Sequence, residues 1–215
     1  RDATFRGEYP FAWIDFEEPA LPVQVSMMAY NPFIPLNVED SGLPAGIFEF
    51  TLTNRSETVV DVSIGANLFN AVGYRGHGAM TYVESGEFKG TGDRNFNRYA
   101  QSDNLRGILM GSEVYTPDVP LGGTMALATT WPDTSHQTAW LRGAWFDSMQ
   151  YFWDEFSVSG RLQDRVYAEP SPKNTSDTGA LALHAHLEPG ETVKMPLFLT
   201  WHFPNFIKYW TDSFA

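Results

Sequence analysis

The stretch Leu21–Asn54, LPVQVSMMAYNPFIPLNVEDSGLPAGIFEFTLTN, decides how this chain is read. Two runs of strand character flank a middle rich in Pro, Asn, Asp and Gly. In the first run Val23, Val25, Met27 and Ala29 alternate with Gln24, Ser26, Met28 and Tyr30. In the second, Phe48, Phe50 and Leu52 alternate with Ile47, Glu49, Thr51 and Thr53. Such alternation sends one row of side chains into a core and the other towards solvent or a second layer. Pro32, Pro35 and Pro44 lack the amide hydrogen a central strand needs, so the link between the runs is an ordered loop. A loop of this length, Asn31 to Pro44, is expected to serve a function beyond connection.

Outward from this stretch, the polar turn Asn54-Arg55-Ser56-Glu57-Thr58 leads into Val59 to Phe69, where Val60, Val62, Ile64, Ala66 and Leu68 share a face. Two alternating runs joined by a short polar turn predict a hairpin. Near the C-terminal end Leu181, Leu183, Ala185 and Leu187 alternate, Glu188-Pro189-Gly190-Glu191 turns, and Val193 to Trp201 returns, which predicts a second hairpin. Upstream, one strand is expected over Tyr9 to Phe16. Further short strands are expected near Met80 to Val83, Asn95 to Tyr99, Leu105 to Met110, Gly111 to Tyr115 and Thr124 to Thr129. Residues 169–179, EPSPKNTSDTG, read as a linker or surface loop. The pattern is that of an all-β sandwich. One segment departs from it. Over Trp140 to Phe156, Leu141, Trp145, Met149, Phe152 and Phe156 recur at spacings of three to four, the period of a helix face. Its many aromatics exceed what one face needs, so the helix is expected to lie between two surfaces, with Ser159-Gly160 as its stop.

Composition narrows the function classes. The 215 residues are 43% hydrophobic and 15% aromatic, enough to bury a sizeable core. Formal net charge is −12, which repels nucleic acid and anionic membranes and leaves neutral substrates such as sugars open. No run approaches the roughly 20 apolar residues of a membrane helix. With no cysteine, disulfides, thiolate metal sites and cysteine nucleophiles are excluded. Lack of cysteine leaves the compartment unknown; with no apolar signal core in the opening RDATFRGEYPF, the cytoplasm is favoured slightly. Asn54-Arg55-Ser56 and Asn174-Thr175-Ser176 fit the N-glycosylation pattern, a motif common by chance.

Candidate chemistry is sparse. A glycosidase needs two carboxylates about 5–10 Å apart, one with a raised pKa. Asp15 lies beside Trp13, and Asp147, Asp154 and Glu155 lie on the aromatic helix, but these last three read as its solvated side, and no catalytic residue is assigned. His184 and His186 project from one strand face and form a weak candidate for two ligands of a metal, His202 being a conceivable third. A polar outer face, or a face covered by another domain, is the simpler reading, and no metal or other cofactor is expected. The glycines of Gly73 to Gly78 match neither a phosphate loop nor a dinucleotide fingerprint, and no nucleophile elbow is present. Trp201-His202-Phe203-Pro204-Asn205 ends an apolar strand and turns the backbone away, as at the exit from a domain.

EYPFAWIDFEEPALPVQVSMMAYNPFIPLNVEDSGLPAGIFEFTLTN, the aromatic segment around Trp145-Phe146-Asp147 and Phe152 to Phe156, and the final LFLTWHFPN together resemble the N-terminal region of glycoside hydrolase family 116. That family holds β-glucosidases and the non-lysosomal glucosylceramidases, or bile acid β-glucosidases. The resemblance runs in order over nearly the whole chain and implies a two-sheet antiparallel, supersandwich-like β-sandwich. It implies that residues 1–215 are a single sandwich domain, incomplete at its N-terminal end. It also implies a separate C-terminal (α/α)6 catalytic domain acting by a retaining mechanism with a Glu and an Asp. No stretch of this chain matches those catalytic motifs. The partners implied are that catalytic domain and the β-glucoside or glycolipid substrate of the whole enzyme. Trp145, Trp153, His184, His186, Trp201 and His202 are then candidates for the interface between the domains. The alternatives from other classes are a free-standing carbohydrate-binding module using exposed aromatics, and a small metal-dependent enzyme at His184 and His186.

Overall fold

The structure, a computed structural model, describes residues 2–74, 92–143 and 147–205. Eight strands form one antiparallel sheet: β1 (Asp2–Glu8), β2 (Phe11–Glu17), β3 (Val23–Tyr30), β4 (Ala45–Asn54), β11 (Thr192–His202), β8 (Thr124–Thr129), β7 (Arg106–Ser112) and β6 (Asn95–Gln101), in that spatial order. A smaller sheet holds β5 (Val60–Phe69), β10 (Thr178–Leu187) and β9 (Thr134–Gln137) in that order. Among the described residues two helices accompany the sheets, the single turn α1 (Val38–Ser41) and α2 (Ser148–Ser159). The mainly β, two-sheet antiparallel sandwich with an aromatic-rich helix is as expected.

The core lies where the alternating rows meet. Phe48, Phe50 and Leu52 of β4, with Val193, Met195 and Leu197 of β11, face Val60, Val62 and Ile64 of β5 and Leu181, Leu183 and Leu187 of β10. Leu52, Leu181, Leu183, Leu187 and Met195 are almost completely buried. Each such side chain contributes about 1.5–3 kcal/mol by leaving water, so these rows hold the two sheets together.

The two hairpins expected from sequence are not hairpins. β4 pairs with β3 and β11, whereas β5 pairs with β10. The turn after Asn54 crosses from one sheet to the other, and so does the turn after Leu187. A hairpin and an inter-sheet arch both point the apolar rows of consecutive strands at one core, so alternation does not separate them. The two arches lie side by side and clasp each other. Asn54 N–H donates to Glu191 O at 2.9 Å, and Gly190 N–H donates to Asn54 O at 3.0 Å.

Other expectations are corrected in detail. The opening is a β1–β2 hairpin about Tyr9-Pro10 and not one strand. Pro10 has no amide to give the ladder and sits in the turn. β1 is exposed along its whole length, so its apolar residues are too few and too diluted to announce it. The strand expected over Gly111 to Tyr115 ends at Ser112, whose hydroxyl accepts from the amides of Val114 and Tyr115 and curls the chain. The short β9 was not foreseen. The strand expected at Met80 to Val83 lies outside the described residues.

The helix is shorter at its start than the aromatic spacing predicts. Trp140–Gly143 is loop and turn, and Trp140 joins the pattern through space by stacking on Phe152 with ring centroids 5.3 Å apart. α2 stops at Gly160, whose φ of 67° is the left-handed conformation of a helix C-cap. Phe152 and Phe156 are buried, while Met149, Tyr151 and Trp153 are exposed. Within this chain α2 therefore packs on one side, against Ala180 and Ala182 of β10.

Candidate functional site

The residues singled out in the sequence fall in two places. His184, His186 and Trp153 belong to the outer layer of the small sheet, where α2 lies. Trp201 and His202 end β11 at one end of the large sheet. Trp145 lies outside the described residues.

His184 is built into the protein. It points to the opposite face from Leu183 and is 5% exposed. Ser63 Oγ stands 2.8 Å from Nδ1 and Ser135 Oγ 2.8 Å from Nε2. Ser135 Oγ also accepts from Leu162 N–H at 2.8 Å, so this hydroxyl links the ring to the chain after α2. Burial first, and then the Arg161 guanidinium, push the His184 pKa below the ordinary imidazole value, against the pull of Asp133. The result is a neutral histidine that ties the end of α2 to β5, β9 and β10. His186, two residues on, is exposed and pairs with Asp61 at 2.7 Å, which raises its pKa. With both ring nitrogens of His184 engaged by hydroxyls, the two histidines do not converge on a common ligand position. Among the described residues no group of three or more His, Cys, Asp or Glu side chains is placed to hold a metal.

The same layer shows how α2 is seated. Phe156 lies over Gly65 so closely that a Cβ there would stand 3.0 Å from its ring. A Cβ at Gly160 would meet Ser63 Oγ at 2.7 Å. Both glycines are positions of close approach, one by a ring and one by the helix end.

Several carboxylates are engaged locally. Asp177, 7% exposed, takes two hydrogen bonds from Arg142, at 2.8 and 2.5 Å, and the same guanidinium stacks on Tyr167 at 4.1 Å. These groups line a polar cleft of about 260 Å³ with Asn97, Arg98 and Glu113. On α2, Glu155 pairs with Arg165 at 2.7 Å and accepts from Gln137, and Asp154 accepts from Gln150. Asp133 pairs with Arg161 at 2.8 Å, and the hydrogen bond lowers its pKa.

Sequence reasoning missed a set of buried asparagines. Asn54, Asn70 and Asn95 are each no more than 1% exposed. Asn70 Nδ2 donates to Gly111 O at 3.0 Å and Asn95 Nδ2 to Val72 O at 2.9 Å, joining the end of β5 to β6 and β7. The signal available for two of them was an asparagine closing an apolar run, Asn54 at the end of β4 and Asn70 after β5, where a carboxamide satisfies carbonyls that no ladder reaches. The Arg142–Asp177 pair is 35 residues apart in sequence and left no such signal. The Asn54-Arg55-Ser56 glycosylation pattern falls on a buried amide, whereas Asn174 is exposed.

The end of the large sheet has a different character. Trp201 N–H donates to Pro44 O at 3.1 Å, bringing the β11 exit against the Asn31–Pro44 loop. That loop holds its own shape. Asn37 caps α1 by accepting from Asp40 N–H, and Ser41 Oγ both accepts from Ile34 N–H and donates to Ile34 O at 2.9 Å. Its apolar side chains Phe33, Ile34, Leu36, Val38 and Leu43 point to solvent. A loop braced from within and apolar outside is a presented surface.

The sequence profile described as beta-glucosidase 2, glycosyl-hydrolase family 116 N-term matches residues 1–214. The chain belongs to this family. It is a family 116 N-terminal domain, and no helix among the described residues is long and apolar enough to cross a membrane. Among solved structures, it is similar to a kojibiose phosphorylase-like protein from the human microbiome, with 9% identity and a TM-score of 0.39 over 89% of this chain and 18% of that one. It is similar to a polysaccharide lyase with 12% identity and a TM-score of 0.45, over 90% of this chain and 22% of that one. An aldose 1-epimerase-like protein of Escherichia coli K12 matches with 7% identity and a TM-score of 0.48, over 94% of this chain and 69% of that one. The chain thus spans about a fifth of the first two proteins.

Proposed function

We propose that this family 116 domain is the non-catalytic β-sandwich support of a β-glucosidase or glucosylceramidase-like enzyme. Residues 1–215 act as one unit that packs on a C-terminal (α/α)6 catalytic domain of the same polypeptide and shapes the mouth of its active site. The carboxylates that hydrolyse the β-glucoside or glycolipid belong to that other domain. The observation that carries this reading is the state of the acidic groups: Asp133, Asp177 and Glu155 are neutralised by Arg161, Arg142 and Arg165, which suits a folded support and not an acid/base pair. The test is hydrolysis of an aryl β-glucoside by the purified chain. No turnover is expected; clear turnover abolished by changing one carboxylate contradicts the proposal.

A second reading, a carbohydrate-binding module, is favoured by one feature, the 57% exposure of Trp153 on α2. Micromolar binding of a soluble β-glucan, lost in Trp153→Ala, supports it.

A further inference from the structure

One band across the outer face of the large sheet, turned away from the small one, has the composition of an inner face. Following the strand registers, Phe11, Tyr30, Ile47, Phe198, Ala128 and Gly107 stand side by side in one row across β2, β3, β4, β11, β8 and β7. These six residues carry no charge, and Glu8 of β1 ends the row beside Phe11. An antiparallel sheet that packs a core on one face ordinarily presents polar residues on the other. Here the polar residues, among them the Glu49–Lys194 pair, Thr51 and Ser26, keep to the end of the face near the arches, and the other end is apolar.

The neighbouring rows extend the apolar band in part. On one side Trp13 is paired with Met28, between Arg6 and Glu49. On the other, Ala126 is flanked by Thr200 and Leu109. Small residues shape a shallow trough of about 280 Å³ over Gly107, Ala126 and Ala128, with the exposed side chains of Leu105 and Leu109 as its wall. Gly107 has no room for a Cβ, which would strike the backbone of Leu127 and Ala128. The trough floor therefore stays low. An exposed apolar band bounded by polar residues marks an interaction surface.

Continuity identifies the occupant. A second depression on this face, of about 450 Å³, is lined by Leu43, Pro44, Leu109, Ala126, Trp201 and His202. It joins the trough to the self-braced Asn31–Pro44 loop and to the exit of β11. The chain leaves the sheet at the rim of this face, and the family profile is that of an N-terminal domain. We infer that the outer face of the eight-stranded sheet, with the Asn31–Pro44 loop as its rim, is where an apolar surface of the catalytic domain of the same polypeptide docks. The α2 layer, where Trp153, His184 and His186 lie, is outside this interface. The inference rests on the proposed supporting role and assigns it a face.

The cysteine-free sequence permits a direct test. Single cysteines are placed on the outer face (Leu109→Cys and, as a second variant, Phe11→Cys), on α2 (Trp153→Cys) and on the exposed arch as a control (Glu57→Cys). Maleimide reaction rates are read by mass spectrometry in this chain alone and in the full-length polypeptide of which it is the N-terminal domain. The expected result is at least tenfold slower labelling of the outer-face cysteines in the full-length polypeptide, with Glu57→Cys unchanged. Equal rates at the outer face in both forms overturn the inference. If only Trp153→Cys is slowed, the domains pack on the α2 layer, so the inference fails and the supporting role stands. If none is slowed, both fail. Slowing at the outer face in the isolated chain that grows with protein concentration assigns the face to a second copy and overturns the inference.

Discussion

The Asn54 carboxamide donates to the Leu187 carbonyl at 3.0 Å across 133 residues of sequence, and with its second hydrogen to Thr58 O at 2.8 Å. This single side chain joins the two arches that carry the chain between sheets. Replacing it with Ala removes the amide from the Leu187 carbonyl, while Thr58 O keeps the Ser56 hydroxyl at 2.9 Å. The expected loss for Asn54→Ala is about 1–3 kcal/mol, read as a lower urea midpoint with an unchanged slope. A change within experimental error would show that water replaces the amide at no cost.

Helix α2 is seated on a bare backbone. In Gly65→Ala the new methyl stands 3.0 Å from the Phe156 ring, and the ring has to move. The expected cost is about 1–3 kcal/mol, with altered near-ultraviolet circular dichroism from the Trp140, Phe152 and Phe156 stack. The second change of Phe156→Leu is expected to restore part of the stability, because it withdraws the edge that clashes.

Protonation of His184 is expected to weaken the α2 layer. The groups around the ring are Ser63 and Ser135 at its nitrogens, and Arg161 and Asp133 beyond them. Its folded-state pKa is lowered, so between that value and an unfolded value of about 6.5 the unfolded chain binds more protons, and stability falls as pH drops through this window. Exposed His186, whose pKa Asp61 raises, has the opposite sign. Melting temperature followed from pH 8 downward is expected to fall less steeply in His184→Gln than in the parent and more steeply in His186→Gln. Parallel curves for the parent and His184→Gln would remove His184 from the account.

The Arg142–Asp177 pair orders the polar cleft beside β6. Arg142→Ala leaves a nearly buried carboxylate without its guanidinium, at a cost of up to about 3 kcal/mol, since Arg142 itself is partly exposed. Asp177→Asn keeps hydrogen bonding to the arginine and is expected to cost less. Chemical denaturation of both variants compares the two, and an equal loss would mean that the charge, not the unsatisfied group, sets the cost.

What the sequence disclosed was the direction of side chains. The rows Phe48-Phe50-Leu52, Val60-Val62-Ile64 and Leu181-Leu183-Leu187 all reach the core their alternation announced. What it concealed was which strand lies beside which. Val60 and Leu52 face one core from opposite sheets, and the same rows would face it from one hairpin. The deciding bonds are those of Asn54 to Glu191, Gly190 and Leu187, far away in sequence. Periodicity likewise extended the helix back towards Trp140, whereas Trp140–Gly143 is loop and turn and the Trp140 ring stacks on Phe152 from there. For the candidate residues, sequence placed His184 on the face opposite Leu183 but not under Ser63 and Ser135, whose hydroxyls come from two other strands.

The central claim is that this sandwich supports a catalytic centre it does not contain. The most direct measurement is a titration of the purified chain into the separately produced remainder of the polypeptide, following both calorimetric binding and turnover of an aryl β-glucoside. Saturable one-to-one binding with recovery of turnover, and no turnover by the chain alone, is the predicted result. Turnover by the chain alone, or a remainder that is fully active and does not bind it, would contradict the account.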